Sequence, residues 1–159
     1  MEKIVPWKDV HTILPRMRGK KTVLVGGCFD LFHYGHLVFL KKAKNRGDVL
    51  IVALESDEFI KNHKRSPAHT QRQRAELLVA LEIVDCVILL PHFTSDTQYE
   101  HLIEVVKPSH IAVTQNDVHL EKKRRQARKF GADLTIVVPY LKKYSSTNLI
   151  KSYETFFGN

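Results

Sequence analysis

Five short runs of branched apolar residues, spaced by segments with helical periodicity, constrain this chain more than any other feature. The runs are Thr22 to Gly26, Val49 to Leu54, Cys86 to Leu90, His110 to Val113 and Leu134 to Val138. Each is strand-length, rich in Val, Ile and Leu, and nearly free of polar alternation, as strands covered on both faces are. The first intervening segment, about Tyr34 to Arg46, puts Leu37, Leu40 and Ala43 on one face, and Gly47 offers a C-terminal cap. The second opens with Thr70-Gln71-Arg72-Gln73, a capping box, and carries Leu77, Leu78 and Leu81 on one face. Further helices are predicted over about Thr97 to Val106, stopped by Pro108, over about Leu120 to Phe130, ended by Gly131, and from Ser145 to about Thr155. One more, near Trp7 to Leu14, precedes the first strand.

Strand and helix in alternation imply the α/β class: a Rossmann-like doubly wound parallel sheet of about five strands with helices on both faces. With 159 residues and no linker or repeat, the expectation is a single domain over 1–159, with 1–19 as an N-terminal helical extension. No apolar run approaches the roughly 20 residues of a membrane helix. The opening Met1-Glu2-Lys3-Ile4 lacks the layout of a signal peptide, so the cytoplasm is the expected location. Two cysteines are too few for a disulfide framework or a four-thiolate zinc site. Cys86, in an apolar run, reads as core, and Cys28 as a residue lining a site, with no activating partner nearby in sequence. A formal charge of +8 attracts polyanions without choosing among them.

In open parallel sheets, ligands bind beyond the carboxyl ends of the strands, where the strand order reverses. The segment in that position after the first predicted strand is Gly26-Gly27-Cys28-Phe29-Asp30-Leu31-Phe32-His33-Tyr34-Gly35-His36. It matches neither the dinucleotide fingerprint nor a Walker loop. His33 and His36 stand three apart at a helix start and share a face. Their imidazoles can donate to phosphate oxygens, beside the free N–H groups of the helix end. Gly26, Gly27 and Gly35 let a ligand approach the backbone. The pair also suits zinc, but no third ligand stands at a familiar spacing, so no metal site is expected.

Gly27 to His36 resembles the signature of the cytidylyltransferase-like nucleotidyltransferases, His-x-Gly-His after a Gly-x-Phe-Asp turn. The likeness extends through Gly47-Asp48, Ser56-Asp57, Gln73-Arg74, Val84-Asp85 and Ser145-Ser146-Thr147, covering roughly residues 20 to 155. Gly26-Gly27-Cys28-Phe29-Asp30, Asp96-Thr97 leading to Lys107-Pro108, and Ser146 to Lys151 also resemble the adenylyltransferase domain of the bacterial heptose-phosphate pathway. Glycerol-3-phosphate cytidylyltransferase and the archaeal-type FAD synthetase are similar too, which keeps an FMN adenylyltransferase as an alternative. The resemblance implies transfer of AMP or CMP from ATP or CTP to a small phosphorylated acceptor, a sugar phosphate favoured. Pyrophosphate is released, Mg2+ accompanies the triphosphate, and the chain is a homodimer.

Within that frame His33 and His36 are assigned to the triphosphate and its transition state, where positioning and charge neutralisation supply the catalysis. Arg74, inward-leaning in the first turn of its helix, needs an anion: a phosphate, or a structural ion pair with Asp85. The resemblance places a phosphate-clamping lysine in the loop after Asp57, with Lys64 the best match and Lys61 the next. Ser145, Ser146 and Thr147 offer hydroxyls and amides to phosphates, Thr147 foremost, and can equally cap their helix. Gly26, Gly27, Cys28, Phe29 and Gly35 border the nucleotide, and Asp117 aligns with an aspartate of the family. Asp30, Asp57 and Lys61 are candidates for the acceptor, Asp30 being equally a turn residue that bonds backbone.

The chain departs from its relatives at Thr114-Gln115-Asn116, where they carry glycines, and at Tyr140 to Tyr144, which lacks their arginine or threonine. The basic run from Lys122 to Lys129 reads as a solvated helix face or an attractor of anions. A nucleic-acid binding module is a competing reading, opposed by the absence of aromatics among the basic residues. A nucleotide sensor on the same fold is another.

Overall fold

In a computed structural model, which describes residues 2–139 and 146–157, the chain forms one all-parallel sheet flanked by helices on both faces. The strands are β1 (Ile4–Pro6), β2 (Thr22–Gly27), β3 (Val49–Leu54), β4 (Cys86–Leu89), β5 (His110–Thr114) and β6 (Asp133–Val138). The helices are α1 (Tyr34–Lys44), α2 (Asp57–His63), α3 (Gln71–Val79), α4 (Asp96–Val106), α5 (Leu120–Lys129) and α6 (Ser146–Phe157). The spatial order is β1-β4-β3-β2-β5-β6. The chain therefore winds outward from β2 through β3 to β4, then returns to the other side of β2 for β5 and β6. The reversal falls between β2 and β5, so the crevice of such a sheet opens above Gly27 and Thr114.

Strand residues alternate between two cores. Val23, Val25, Leu50 and Val52 face Leu40 and Ala43 of α1 and Ala75 and Leu78 of α3. Leu24, Ile51, Ala53 and Ile88 face Leu102, Ile103 and Val106 of α4 and Ala127 of α5. All six residues of β3 are buried, which accounts for its unbroken apolar run. Leu77, expected on the inner face of α3, is 46% exposed, and Leu78 and Arg74 occupy that face instead.

Three elements differ from the sequence expectation. The sheet has six strands, because Ile4–Pro6 pairs with β4 at an edge where a proline is tolerated. The segment after it forms two 3-10 turns, Trp7–Thr12 and Leu14–Met17, and not one helix. Residues 57–63, expected as loop, form α2, capped by the Ser56 hydroxyl, which accepts from the Phe59 N–H at 3.0 Å.

Gly47 has a different role from the one expected. Helix α1 ends in Asn45 with right-handed backbone, so no left-handed cap is required there. A Cβ at Gly47 would instead lie 2.5 Å from the Lys21 carbonyl oxygen and 2.9 Å from Val23 Cγ2. That carbonyl is fixed, accepting from the Asp48 and Val49 N–H groups at 2.7 and 3.2 Å. Gly47→Ala therefore overpacks the junction of α1 and β3. It should lower the unfolding free energy in urea by about 2 kcal/mol, and an unchanged midpoint would show that this junction yields.

Candidate active site

The loop from β2 into α1 is held in a conformation few side chains adopt. Phe29 and Leu31 have φ of 47° and 50°, left-handed for non-glycine residues. Each such residue costs on the order of 1–3 kcal/mol, so surrounding bonds must impose the geometry. Arg74, fully buried, supplies most of them. Its Nη1 donates to the Cys28 carbonyl at 2.5 Å, its Nη2 to the Glu55 carbonyl at 2.9 Å and to Asp57 Oδ1 at 2.7 Å, and its Nε to the His69 carbonyl at 3.2 Å. Asp30 supplies the rest: it accepts from Arg65 Nη1 at 2.8 Å and from the Ala68 and His69 N–H groups at 3.0 and 3.1 Å. Burial pushes the Asp30 carboxyl up, but these hydrogen bonds more than offset it and hold it below its ordinary value.

These contacts revise two assignments. Arg74 does not line the cavity above the switch point, and its carboxylate partner is Asp57, not Asp85. Asp85 takes Lys44 Nζ at 2.6 Å and the Leu50 N–H at 2.7 Å instead. Arg74 and Asp57 thus form a structural clamp, and an unpaired buried guanidinium is what the clamp avoids. Asp30 likewise orients its loop, although it also borders the cavity.

His33 and His36 cap α1 by an exchange of rings. Nδ1 of His33 accepts from the His36 N–H, and Nδ1 of His36 accepts from the His33 N–H, both at 3.4 Å. The rings stack with centroids 3.7 Å apart. Since each Nδ1 is an acceptor, each neutral ring carries its hydrogen on Nε2. Burial, then the neighbouring His33 and Lys64, hold His36 down to about 3, against a weaker opposing pull from Asp30. Burial lowers His33 as well. The pair therefore presents two neutral rings, each with its hydrogen on Nε2. Phe29 and Phe32 brace His36, with centroids 5.2 and 5.4 Å from it. Gly27 is required by this packing, because its Cβ would stand 2.9 Å from the Phe29 ring.

The cavity above these residues measures about 860 Å3, within the range of small-ligand pockets. Of the residues singled out from sequence, it gathers Gly26, Gly27, Cys28, Phe29, Asp30, His33, Gly35, His36, Lys64, Asp117 and Thr147. Lys64 ends α2 and Thr147 lies in the first turn of α6, so a cation and a helix start border the same cavity as the histidine pair. Lys61 is exposed on α2 and, like Asp57, is not among the lining residues. Ser145 lies outside the described residues, as do Tyr140 to Tyr144, and Ser146 is described only as the first residue of α6. Asp117 is partnered: it accepts from Lys123 Nζ at 2.6 Å and the His119 N–H at 2.8 Å.

Sequence reading missed four contributors. Lys123, read as part of a basic run that is either a solvated helix face or an attractor of anions, stands in the cavity wall beside Asp117. Ile150, Lys151 and Glu154 line the cavity from α6. Their spacing of one, three and four along a helix marks one face, but nothing local said which way it turned. Burial raises the Cys28 thiol, which leaves it protonated and unsuited to nucleophilic attack. Among the described residues no group of three or more His, Cys, Asp or Glu side chains is placed to hold a metal ion.

The histidine geometry has a consequence for stability. His36 titrates near 3 when folded and at its ordinary 6.5 when unfolded. Between those values the unfolded chain binds the proton and the folded chain does not, so stability must fall as pH drops through that window. Denaturant unfolding measured from pH 6.5 to 4.5 should show this loss, and His36→Asn should reduce the slope. An identical slope in the variant would mean that His36 is not held neutral.

Comparison with known proteins agrees with this architecture. The family model described as cytidylyltransferase-like matches residues 24–153. The bifunctional protein HldE of Helicobacter hepaticus is 34% identical over 96% of this chain and 30% of its own length. That of Nitratiruptor is 48% identical over 64% of this chain and 20% of its own. The chain thus spans less than a third of these curated relatives. The solved structure of a lipopolysaccharide core biosynthesis protein from Thermoplasma volcanium superposes with a TM-score of 0.63 at 28% identity, covering 76% of this chain and 96% of that one. With the family match spanning the strained loop, the histidine pair and the start of helix α6, this chain belongs to the cytidylyltransferase-like family.

Proposed function

We propose that this chain transfers a nucleoside monophosphate from ATP or CTP to the phosphate of a sugar phosphate and releases pyrophosphate. The observation that carries this reading is the pair of neutral Nε2–H donors at the switch-point cavity, which Lys64 and the start of α6 also border. An oxygen of the acceptor phosphate attacks the α-phosphorus of the triphosphate. The bond from that phosphorus to the bridging oxygen breaks, and pyrophosphate leaves with the electron pair. Negative charge grows on the non-bridging and leaving oxygens, where the histidines and Lys64 donate. No side chain has to form a covalent bond. Neutral imidazoles suit this task, since they give up no proton on binding and can gain positive character as the phosphate charge grows nearby.

The histidines, lysine and hydroxyl of the cavity suit phosphate oxygens, and its carboxylates Asp30 and Asp117 are already engaged by Arg65 and Lys123. Mg2+ would therefore arrive with the triphosphate, neutralising part of its charge. The sugar-phosphate acceptor rests on the likeness to the heptose-phosphate adenylyltransferase domain, on the matched HldE proteins and on the Thermoplasma lipopolysaccharide core biosynthesis protein. The reaction belongs in the cytoplasm, where nucleoside triphosphates are held, and no helix among the described residues is long and apolar enough to cross a membrane. A homodimer, implied by the family resemblance, is the proposed assembly.

A pyrophosphate-release screen that crosses ATP and CTP with sugar phosphates, glycerol 3-phosphate and FMN tests the reading. At least one pair should turn over. His33→Asn keeps a good helix cap while removing the Nε2 donor, and it should lower kcat on the order of 100-fold, as loss of one oxyanion donor does. His36→Ala should do the same. Rates unaffected by either substitution, or no binding of any triphosphate, would remove the basis for this function.

A further inference from the structure

A second cavity opens on the opposite face of the sheet, beneath α4 and α5. It measures about 560 Å3 and shares Gly26, Gly27, Cys28, Lys64, Ala112, Val113 and Lys123 with the first. The two spaces therefore meet where a nucleotide phosphate in one would face a group held in the other. Much of the second is apolar, with Ala53, Phe59, Phe93, Leu102 and Ile103 in its walls. Among the charged residues of this lining that the catalytic reading leaves unused, Glu55 is the one that is buried.

Glu55 follows β3, lines the second cavity and is 7% exposed. Its Oε1 accepts from the Tyr99 hydroxyl at 3.0 Å. Its Oε2 is buried and has no hydrogen-bond partner among the described residues. A buried carboxylate oxygen without a donor is destabilising, and such groups recur where a ligand completes the bonding. Tyr99 takes one lone pair of Oε1, and Oε2 is left without any donor. The surrounding residues select the donor. Lys64, Lys122 and Lys123 also line this cavity, Lys122 paired with Asp96 of the same lining, and Lys123 acts electrostatically on Glu55. An ammonium group placed there would stand beside three lysines, whereas neutral hydroxyls would meet no such repulsion.

We propose that Glu55 determines acceptor specificity by accepting hydrogen bonds at Oε2 from hydroxyl groups of a polyol phosphate held in the second cavity. The acceptor phosphate points toward Lys64, which both cavities share. This inference rests on the nucleotidyl-transfer reading above and adds the residue that reads the acceptor. Neither Glu55 nor Tyr99 carries a sequence signal for this role, because the pairing depends on α4 crossing the end of β3.

Titration calorimetry on the wild-type chain, Glu55→Gln and Glu55→Leu tests it. Each protein is saturated with the α,β-methylene analogue of ATP or of CTP. It is then titrated with glycerol 3-phosphate, mannose 1-phosphate, a heptose 1-phosphate and, as the cationic control, phosphoethanolamine. At least one polyol phosphate should bind the wild type in preference to phosphoethanolamine. Both variants should weaken that binding at least tenfold while holding the nucleotide analogue unchanged, a split that a purely structural role would not produce. Glu55→Gln is nearly isosteric and keeps an oxygen for Tyr99, so it serves if Glu55→Leu fails to fold. Equal polyol affinity in wild type and Glu55→Gln, a preference for phosphoethanolamine, or nucleotide binding with no polyol binding would each overturn the role of Glu55 alone. Failure to bind either nucleotide analogue would overturn the nucleotidyl-transfer reading, and this inference with it.

Discussion

The Arg74 guanidinium is the constraint on which the rest of the site depends. It lies at the centre of four polar bonds, to the carbonyls of Cys28, Glu55 and His69 and to the Asp57 carboxylate. These partners come from the loop after β2, the end of β3, the segment before α3 and the first turn of α2. A fully buried cation tolerates no slack, because each lost partner leaves charge or a carbonyl uncompensated, and breaking such a pair costs on the order of 3–5 kcal/mol. One residue therefore fixes the relative position of the loop that carries the histidines and the helix that carries Lys64. The left-handed backbone at Phe29 and Leu31 persists because this clamp and Asp30 leave no alternative.

Within that frame, structure and chemistry use the same atoms. Serine or threonine would cap α1 equally well, but the same short hydroxyl would have to serve both the cap and a ligand. An imidazole has two nitrogens. The inner Nδ1 satisfies the backbone of α1, and the outer Nε2 becomes a fixed donor whose tautomer is set by the cap. Stacking on each other and packing against Phe29 and Phe32 limit rotation of the rings. Burial keeps them uncharged. The switch point then brings this pair to one cavity with Lys64 and the start of α6, from distant parts of the chain.

Much of this was legible in the sequence, and the reasons for the misses are physical. Strands β2 to β5 announced themselves because burial on both faces forces continuous apolar runs, and β6 did so by its branched apolar residues although it is largely half-buried or exposed. β1 did not, because three residues that end in proline carry no periodicity. The start of α2 was signalled by Ser56-Asp57-Glu58, a capping residue before an acidic first turn, but the helix is only seven residues long. The His33–His36 pair was recognisable because its partners are local. Arg74 was recognised as inward-facing and in need of an anion, yet sequence could not distinguish a phosphate from Asp57 and three carbonyls. Gly47 looked like a cap, whereas its smallness is demanded by Lys21, distant in sequence. Glu55, Tyr99 and Lys123 gave no signal, because their neighbours are set by tertiary packing.

The central claim is that His33 and His36 stand as neutral Nε2–H donors to a polyphosphate. The most direct measurement is NMR of the histidine ring nitrogens, assigned with the His33→Asn and His36→Asn variants, as MgATP or MgCTP is added at neutral pH. Both rings should show a protonated Nε2 and a bare Nδ1 before addition, and both Nε2–H signals should move on nucleotide binding. Protonated Nδ1 atoms, or a bound nucleotide that leaves both rings unperturbed, would contradict the account.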